Sequence, residues 1–537
     1  MSTADAPAPR GWLRRYRVPI IAVMVPVIAR LVMLFMERTE IGLEFYFGTL
    51  MAFQFLTMFS VLTLAVWFVF FSGFRFAVRA AGVLIAACAV AAAVGTIRKI
   101  EFDGKMNPTV RFKWEPTDEQ ILASHLSSAP AAQDGAVFTI GATDSPCYRG
   151  PSGNGLAPGV TLAGDWTATP PKELWRHPVG TGHAGIAVAG NSAVTIEQRE
   201  GDEVVVCYDR ATGRERWAYA YPARFSQSEP MGGDGPRTTP AIADGDVYSL
   251  GARGDLVCLD GSIGSPRWKV NVIADNGAAI IDWGVSASPV VVGGLVVVNP
   301  GIDPKQNANQ AVAAYDRKSG KKVWANGSKP AAYASPQRVV FGGKEQVLVF
   351  DAAGLGGYDL ADGAELWRHP WKTSMNMNSA QPVVVGPDRV FVSSELSNGG
   401  AVVEVRYDDA EKKWQAREVW HTRALCARFA CPVVHNGYIY GLSGGLLVCV
   451  DAKTGKQVWN DGKYGDGQIV LSGDYLVISA EKPGRVVLVA ADPSEFRELG
   501  SMPVFKDRTW NVPALAGNQL FMRNHREMAC LELPTVK

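Results

Sequence analysis

A small or polar residue standing directly ahead of a proline recurs at Thr239-Pro240, Ser288-Pro289, Ser335-Pro336, Gln381-Pro382 and Cys431-Pro432. Val512-Pro513 is the apolar exception. Close by are Arg237, Trp283, Tyr333, Asn378, Arg428, Trp510 and Asn511. Two guanidiniums, flat rings and side-chain amides are the groups that hold an anionic or planar ligand. The same side chains also satisfy backbone groups and fill a throat, so the set reads either as a ligand funnel or as packing. No residue is assigned a catalytic role, because no Ser-His-Asp order or nucleophile elbow can be argued. No metal is expected, because the seven histidines show no paired spacing with the cysteines.

The cysteines separate by position. Cys207, Cys258, Cys449 and Cys530 each stand two residues before an acid, Asp209, Asp260, Asp451 and Glu532, and so occupy equivalent places in a repeat, as buried thiols. Cys426 and Cys431 lie close together outside the apolar region, and a disulfide between them is expected. His177, His369 and His421 each follow a tryptophan closely, a recurrence that reads as structural. The glycine-rich Tyr148–Gly155 lacks the Lys-Ser/Thr ending of a phosphate loop and reads as a turn.

The elements that must position these residues are β-hairpins. In Val205–Trp217 an apolar run reaches Asp209, turns through Thr212 and Gly213, and resumes with Trp217 four residues past the glycine. Asp can bond its own backbone two residues on, and Gly supplies the positive φ that closes the loop. The spacing returns at Asp260/Gly264/Trp268, Asp316/Gly320/Trp324, Asp359/Gly363/Trp367 and Asp451/Gly455/Trp459. Trp175, Trp217, Trp268, Trp324, Trp367, Trp420 and Trp459 are 42, 51, 56, 43, 53 and 39 residues apart, the period of propeller blades, and each indole is expected to dock one blade on the next. Two copies are worn: the one around Tyr407-Asp408-Asp409 reaches Trp420 after a longer hairpin, and the one ending at Asp492 has Phe496 to Leu499 in place of the tryptophan strand. An eighth unit stops one strand short, and Lys172 to His177, with Trp175, is expected to complete it and close the ring. The predicted fold is all-β: an eight-bladed propeller of four-stranded antiparallel blades over 171–537, preceded by an α-helical transmembrane region.

Ahead of it come a tail (1–17), three apolar runs at about 18–36, 48–71 and 80–97, and a lead-in (98–170). Each run suffices for a membrane-spanning helix. Thr117 to Ser128 is read as a short helix with a Thr117/Gln120 capping box, and Ser127 to Ala132 as a spacer. Four arginines in the tail and Arg75 and Arg79 before the third run put the N-terminus in the cytoplasm and the propeller in the periplasm, on the inner membrane of a two-membrane cell; Arg98 and Lys99 weigh the other way. Arg30 and Glu44 stand at or near membrane depth, as a quinone or proton site or as snorkelling and helix-pairing residues. With 53 basic and 52 acidic residues there is no basic field, which excludes nucleic acid as a partner.

Ala314-Tyr315-Asp316 with Ser319, Gly320 and Trp324, and Asp451, Thr454, Gly455 and Trp459, resemble the propellers with pyrroloquinoline-quinone (PQQ)-type repeats, signature A-x-D-x-x-T-G-x-x-x-W. Cys449 and Cys207 replace the alanine in two copies. The resemblance covers about Asp144 to the C-terminus and implies the fold. Its members include non-catalytic scaffold propellers of outer-membrane assembly and quinoprotein dehydrogenases. The enzymes hold calcium with acidic and amide side chains, use an aspartate base, and in the alcohol enzymes join adjacent cysteines. This chain has no Cys-Cys pair and short blades, so no residue carries over from them. The first expectation is therefore a membrane-anchored, extracytoplasmic binding or assembly scaffold for a protein or small ligand, with a protein partner at the propeller surface and no cofactor. The alternative is a PQQ- and calcium-dependent oxidoreductase delivering electrons to the membrane.

Overall fold

The computed structural model describes residues 10–38, 46–102, 108–128, 135–226, 232–306, 309–395 and 398–536. Glu44 and residues 129–132 of the expected spacer lie outside them. The described residues divide into two compact units, one ending at Glu115 and the other beginning at Pro116.

The first unit carries the helices Arg10–Arg38, Tyr46–Val66, which runs on as a wider turn through Trp67–Phe71, and Phe76–Thr96. All three are long and apolar enough to cross a membrane. The third begins at Phe76 rather than near residue 80, so Arg79 lies inside it and donates to Val69 O at 2.7 Å. A hairpin of Ile97–Phe102 and Pro108–Phe112 follows, unforeseen in the sequence.

The second unit is an eight-bladed propeller. Blade 1 is built from Ala187–Ala189, Ser192–Arg199, Asp202–Asp209 and Glu215–Pro222, running from the axis outward. Blades 2 to 7 repeat this plan over 241–271, 290–326, 337–370, 383–422, 433–463 and 468–505. Blade 8 takes three strands from the C-terminus, Ala514–Ala516, Gln519–Arg523 and Glu527–Glu532, and its outer strand, Lys172–Pro178, from the start of the domain. The ring closes as the sequence implied.

The repeat has a steric logic. In each of seven blades the outer-strand tryptophan lies directly across from a small or β-branched residue of the neighbouring strand: Cys530, Cys207, Cys258, Ala314, Gly357, Val402 and Cys449 for Trp175 through Trp459 in order. The opposing side chain must leave room for the indole, and a bulge beside each pair turns the ring toward the next blade. Trp175, Trp217, Trp268, Trp324, Trp420 and Trp459 donate Nε1–H to carbonyls in the following hairpin, those of Arg210, Gly261, Arg317, Leu360, Ala452 and Asp492. Trp367 instead donates to Gln346 of its own blade at 2.7 Å, because the long hairpin of blade 5, Gly399–Asp408 and Lys413–Thr422, has no Asp-to-Gly turn to meet it. In blade 7 the tryptophan position, opposite Leu488, is Gly500. Trp166 of the lead-in packs over this glycine and is itself buried, so the indole comes from outside the blade rather than from Phe496 to Leu499.

Faces of adjacent blades pack into continuous apolar layers, such as Val194, Ile196, Val205 and Cys207 against Ile242, Val247, Val257 and Leu259. Burial pushes the thiols of Cys207, Cys258, Cys449 and Cys530 up to about 12, leaving them unreactive. The capping box forms at Asp118–Ser128, with Thr117 N–H donating to Gln120 Oε1 (2.9 Å) and Gln120 N–H to Thr117 Oγ1 (3.1 Å). That helix lies on the closing strand, where His125 stacks on His177 and His177 on Trp175.

Candidate functional site

The residues ahead of the prolines form a belt around the axis. Thr239 N–H donates to Ser288 Oγ (2.9 Å), Ser288 N–H to Ser335 Oγ (2.8 Å), and Ser335 N–H to Gln381 Oε1 (3.1 Å). Gln381 N–H in turn points to Cys431 Sγ at 3.4 Å. The side chains of Ser288, Ser335, Gln381 and Cys431 thus meet the backbone of the preceding blade, and these residues and Thr239 are buried. Asn378 donates to the carbonyls of Asp351 and Trp371, and Asn511 to that of Ala184, again from buried positions. These six residues, with Cys431, serve the protein's own backbone, and Ser288, Ser335 and Gln381 also line the cleft described below.

Half-buried at the mouth above the belt are Arg237, Trp283, Tyr333, Arg428 and Trp510. A methyl group on Gly232 would lie 3.1 Å from Arg237 Nη2, 3.7 Å from Trp510 and 3.9 Å from Trp283, so these three side chains meet around one glycine. Trp283 and Tyr333 make an edge contact. Arg237 donates to the carbonyls of Gly233 and Gly235, and burial together with Arg508 lowers its pKa to about 10. Arg508 lies over the Trp510 ring and donates to Gly232 O. His183 also meets Gly232 O, at 2.7 Å, and burial with the two arginines holds it neutral. Arg508 and His183 were missed from the sequence. For Arg508 a signal existed, since it sits just ahead of the last proline-marked strand, as Arg237 does ahead of an earlier one.

Arg428 is held by Glu395 and Asp466, while Glu481 accepts from Trp510 Nε1 and Asp466 N–H. These carboxylates are committed to the protein's own donors, and the donor set does not suit a calcium-bound quinone. Among the described residues no group of three or more His, Cys, Asp or Glu could hold a metal ion.

The expected disulfide is corrected. Cys426 and Cys431 are separate thiols, Cys431 facing Tyr148 Oη at 3.3 Å and Cys426 turned to Arg423 O at 3.4 Å. Their chain segment is pinned between them, Ala427 N–H by Ser393 Oγ, so the two sulfurs serve different neighbours.

Below the belt the channel is crossed by residues 143–157. Thr143 O accepts from Gly517 of blade 8, Ser145 exchanges both backbone bonds with Val188 of blade 1, and Pro146 O accepts from Ile242 of blade 2. The segment then crosses to blade 6, where Arg149 donates to Pro432 O, and leaves along blade 7, where Gly155 and Ala157 bracket Leu471. The Tyr148–Gly155 stretch is therefore a plug. Beside it remains a cleft of about 1110 Å³, between the plug and the innermost strands of blades 2, 3 and 4.

The family model described as outer membrane protein assembly factor BamB matches this chain over residues 168–237, 224–424 and 396–497. Outer membrane protein assembly factor BamB of Burkholderia pseudomallei is 23% identical over 395 residues, covering 66% of this chain and 96% of that protein. Among solved structures, BamB from Moraxella catarrhalis is similar at 15% identity and a TM-score of 0.48, over 68% of this chain and all of that one. Quinohemoprotein alcohol dehydrogenase ADHIIG from Pseudomonas putida HK5 is similar at 12% identity and 0.44, over 74% and 81%.

Proposed function

The chain belongs to the PQQ-repeat family described as outer membrane protein assembly factor BamB, and from that premise we propose that it is a membrane-anchored, extracytoplasmic propeller that works as a non-catalytic scaffold for a partner protein in outer-membrane protein assembly. The observation that carries this reading is how the channel is filled. Its own residues 143–157 cross the channel, the residues ahead of the prolines are bonded into a belt, and the space left is a cleft walled by strand edges. Strand edges and small-residue turns are surfaces that recognise polypeptide. The three apolar helices supply the anchor. The four arginines of the tail favour a cytoplasmic N-terminus, which puts the propeller in the periplasm on the inner membrane.

The test is crosslinking and affinity capture of the full chain from native membranes, with protease digestion of spheroplasts to report which side the propeller occupies. Stoichiometric capture of an outer-membrane assembly protein is expected, with the propeller cleaved from outside. Saturable PQQ binding with calcium, and dye reduction by alcohols or sugars, would overturn the scaffold reading.

A further inference from the structure

We propose that the cleft is a docking groove for an extended segment of the partner protein, which adds its backbone to the innermost edges of blades 3 and 4 as residues 143–157 do to blades 1, 2 and 7. The inference rests on the scaffold reading and specifies its binding mode.

Each innermost strand ends in a tight turn, and that turn decides which residue directs its N–H and C=O toward the axis. In blade 1 this residue is Val188: Ser145 N–H reaches Val188 O at 3.1 Å, and Val188 N–H reaches Ser145 O at 2.7 Å. In blade 7 it is Leu471, bonded at 2.8 Å to both Gly155 O and Ala157 N–H. In blade 2, Ile242 N–H donates to Pro146 O at 2.8 Å, but proline has no N–H to return the bond. The plug stops following the ring at that proline and crosses to blade 6, passing blade 4, where the Gln337 side chain donates from Nε2 to Gly153 O at 3.4 Å.

Blades 3 to 6 receive no backbone bond from the plug on the described residues of their innermost strands, and the equivalent residues that stand at the cleft are Val291, in Val290–Val292 before the turn at Gly293 and Gly294, and Val340, in Gln337–Phe341 before the turn at Gly342 and Gly343. Among the described residues neither makes a backbone hydrogen bond on its axial side. Val291 lines the cleft, and Val340, 48% exposed, stands between the lining residues Arg338 and Gly343. An edge of unpaired N–H and C=O groups is a template for another strand. Residues 143–146 touch blades 8, 1 and 2 in four positions, so two or three consecutive partner residues suffice to engage blades 3 and 4.

The chemistry of the occupant follows from the walls. Pro146, Pro289, Pro336 and Leu295 are apolar, and Ser152, Ser288, Ser335, Gln337 and Gln381 add uncharged polar groups. The charges at the rim are matched in place, Arg338 with Glu345 and Lys344 with Asp359. The groove therefore takes an uncharged, extended stretch with small or apolar side chains and no proline where it meets Val291. A lipid or sugar has no alternating donor and acceptor row to match these edges.

The probe is a set of heptapeptides selected from a random displayed library on the purified full chain in detergent. Their affinities are then measured with single N-methylated amides and against Val291→Pro, with Val434→Pro, at the same position of blade 6 outside the cleft, as control. N-methylation at alternate residues and Val291→Pro should each weaken binding about tenfold, the loss of one or two backbone bonds, while Val434→Pro leaves it unchanged. Saturating peptide should also slow deuterium exchange at Val291 and Val340 in the unsubstituted chain, a readout that needs no variant to fold. Failure to select any peptide, tolerance of every N-methyl group, or unaltered exchange at both valines would overturn the groove. If Val291→Pro captures the membrane partner as well as the unsubstituted chain does, the groove fails while the scaffold stands. If neither chain captures a partner, the scaffold reading fails with it.

Discussion

Replacing Gly455 with alanine should damage the propeller far more than replacing Gly245, although both glycines have positive φ, +73° and +85°. The backbone cost of an L-residue there, about 1 kcal/mol, is common to both. What differs is the surroundings. A methyl group at Gly245 meets nothing within 4 Å, whereas at Gly455 it would lie 2.5 Å from Cε3 of Trp420 in the preceding blade. The indole must move, which strains its bond to Ala452 O, now 3.1 Å, at about 1 kcal/mol, and overpacks the joint by about 1–3 kcal/mol. The expected totals are about 1 kcal/mol for Gly245→Ala and about 3–5 kcal/mol for Gly455→Ala. Urea unfolding of the full chain in detergent, followed by tryptophan fluorescence, reads the difference as a midpoint shift at least about three times larger for Gly455→Ala. Combining it with Trp420→Leu should cost less than the sum of the two single changes, because the clash partner is gone. Equal midpoint shifts for the two glycines, or strict additivity with Trp420→Leu, would refute the assignment of the glycine to the blade joint.

Glu203 is buried between blades 1 and 2, accepting from Ala252 N–H and Tyr221 Oη, and burial raises its pKa to about 7. A carboxyl whose folded pKa lies above its unfolded one loses stability as pH rises between them, so Glu203→Gln should be more stable than the native chain by about 3 kcal/mol at pH 8 and equal to it at pH 4, by urea titration at both. Arg523 of the closing blade donates to Thr195 Oγ1 and Gly180 O from full burial. Arg523→Met should cost about 3 kcal/mol by orphaning those acceptors, while Arg485→Met, which breaks a half-exposed pair with Glu498, should cost under about 1 kcal/mol; similar midpoints would count against Arg523 as the lock of the ring. Cys426 and Cys431 should both take up iodoacetamide in denatured, unreduced protein, and protection of the pair would restore the disulfide.

The blades were legible because the repeat is a local steric code. The turn Asp, the positive-φ Gly and the indole are all within nine residues, and the small residue opposite the indole lies two before the Asp, as Cys207 does. The closing strand was legible as well, since the eighth unit visibly lacks one. The plug was not, because Ser145, Pro146, Gly155 and Ala157 bind through their backbones, which leave no trace in residue type. Trp166 escaped for another reason: the missing tryptophan of this copy was visible, but the residue that meets Gly500 lies more than three hundred positions away and outside the repeat spacing. The residues ahead of the prolines were found, but their role turned on neighbours. Ser288 and Ser335 look alike whether they face a ligand or a peptide N–H, and here each faces the N–H of the preceding blade.

Residues 143–178 connect these features, for they supply the plug, Trp166 and the outer strand of blade 8. Exposed strand edges are a liability that folded proteins cover, and this one stretch covers innermost edges in blades 7, 1 and 2 and bonds the turn of blade 8. It could have continued round the ring. Pro146 ends the reciprocal pairing, and Gly150, Gly153 and Gly155, all at positive φ, carry the chain across to blade 6 instead. Gly155 has no room for a side chain, since a methyl group there would lie 2.3 Å from Arg149 Nη2 and 2.9 Å from Val433. The route is therefore sterically specified, and it leaves the edges of blades 3 and 4 without a backbone partner from this segment. The cleft left in this way borders strand edges of the kind this segment pairs with elsewhere, which is the ground for proposing an extended chain as its occupant.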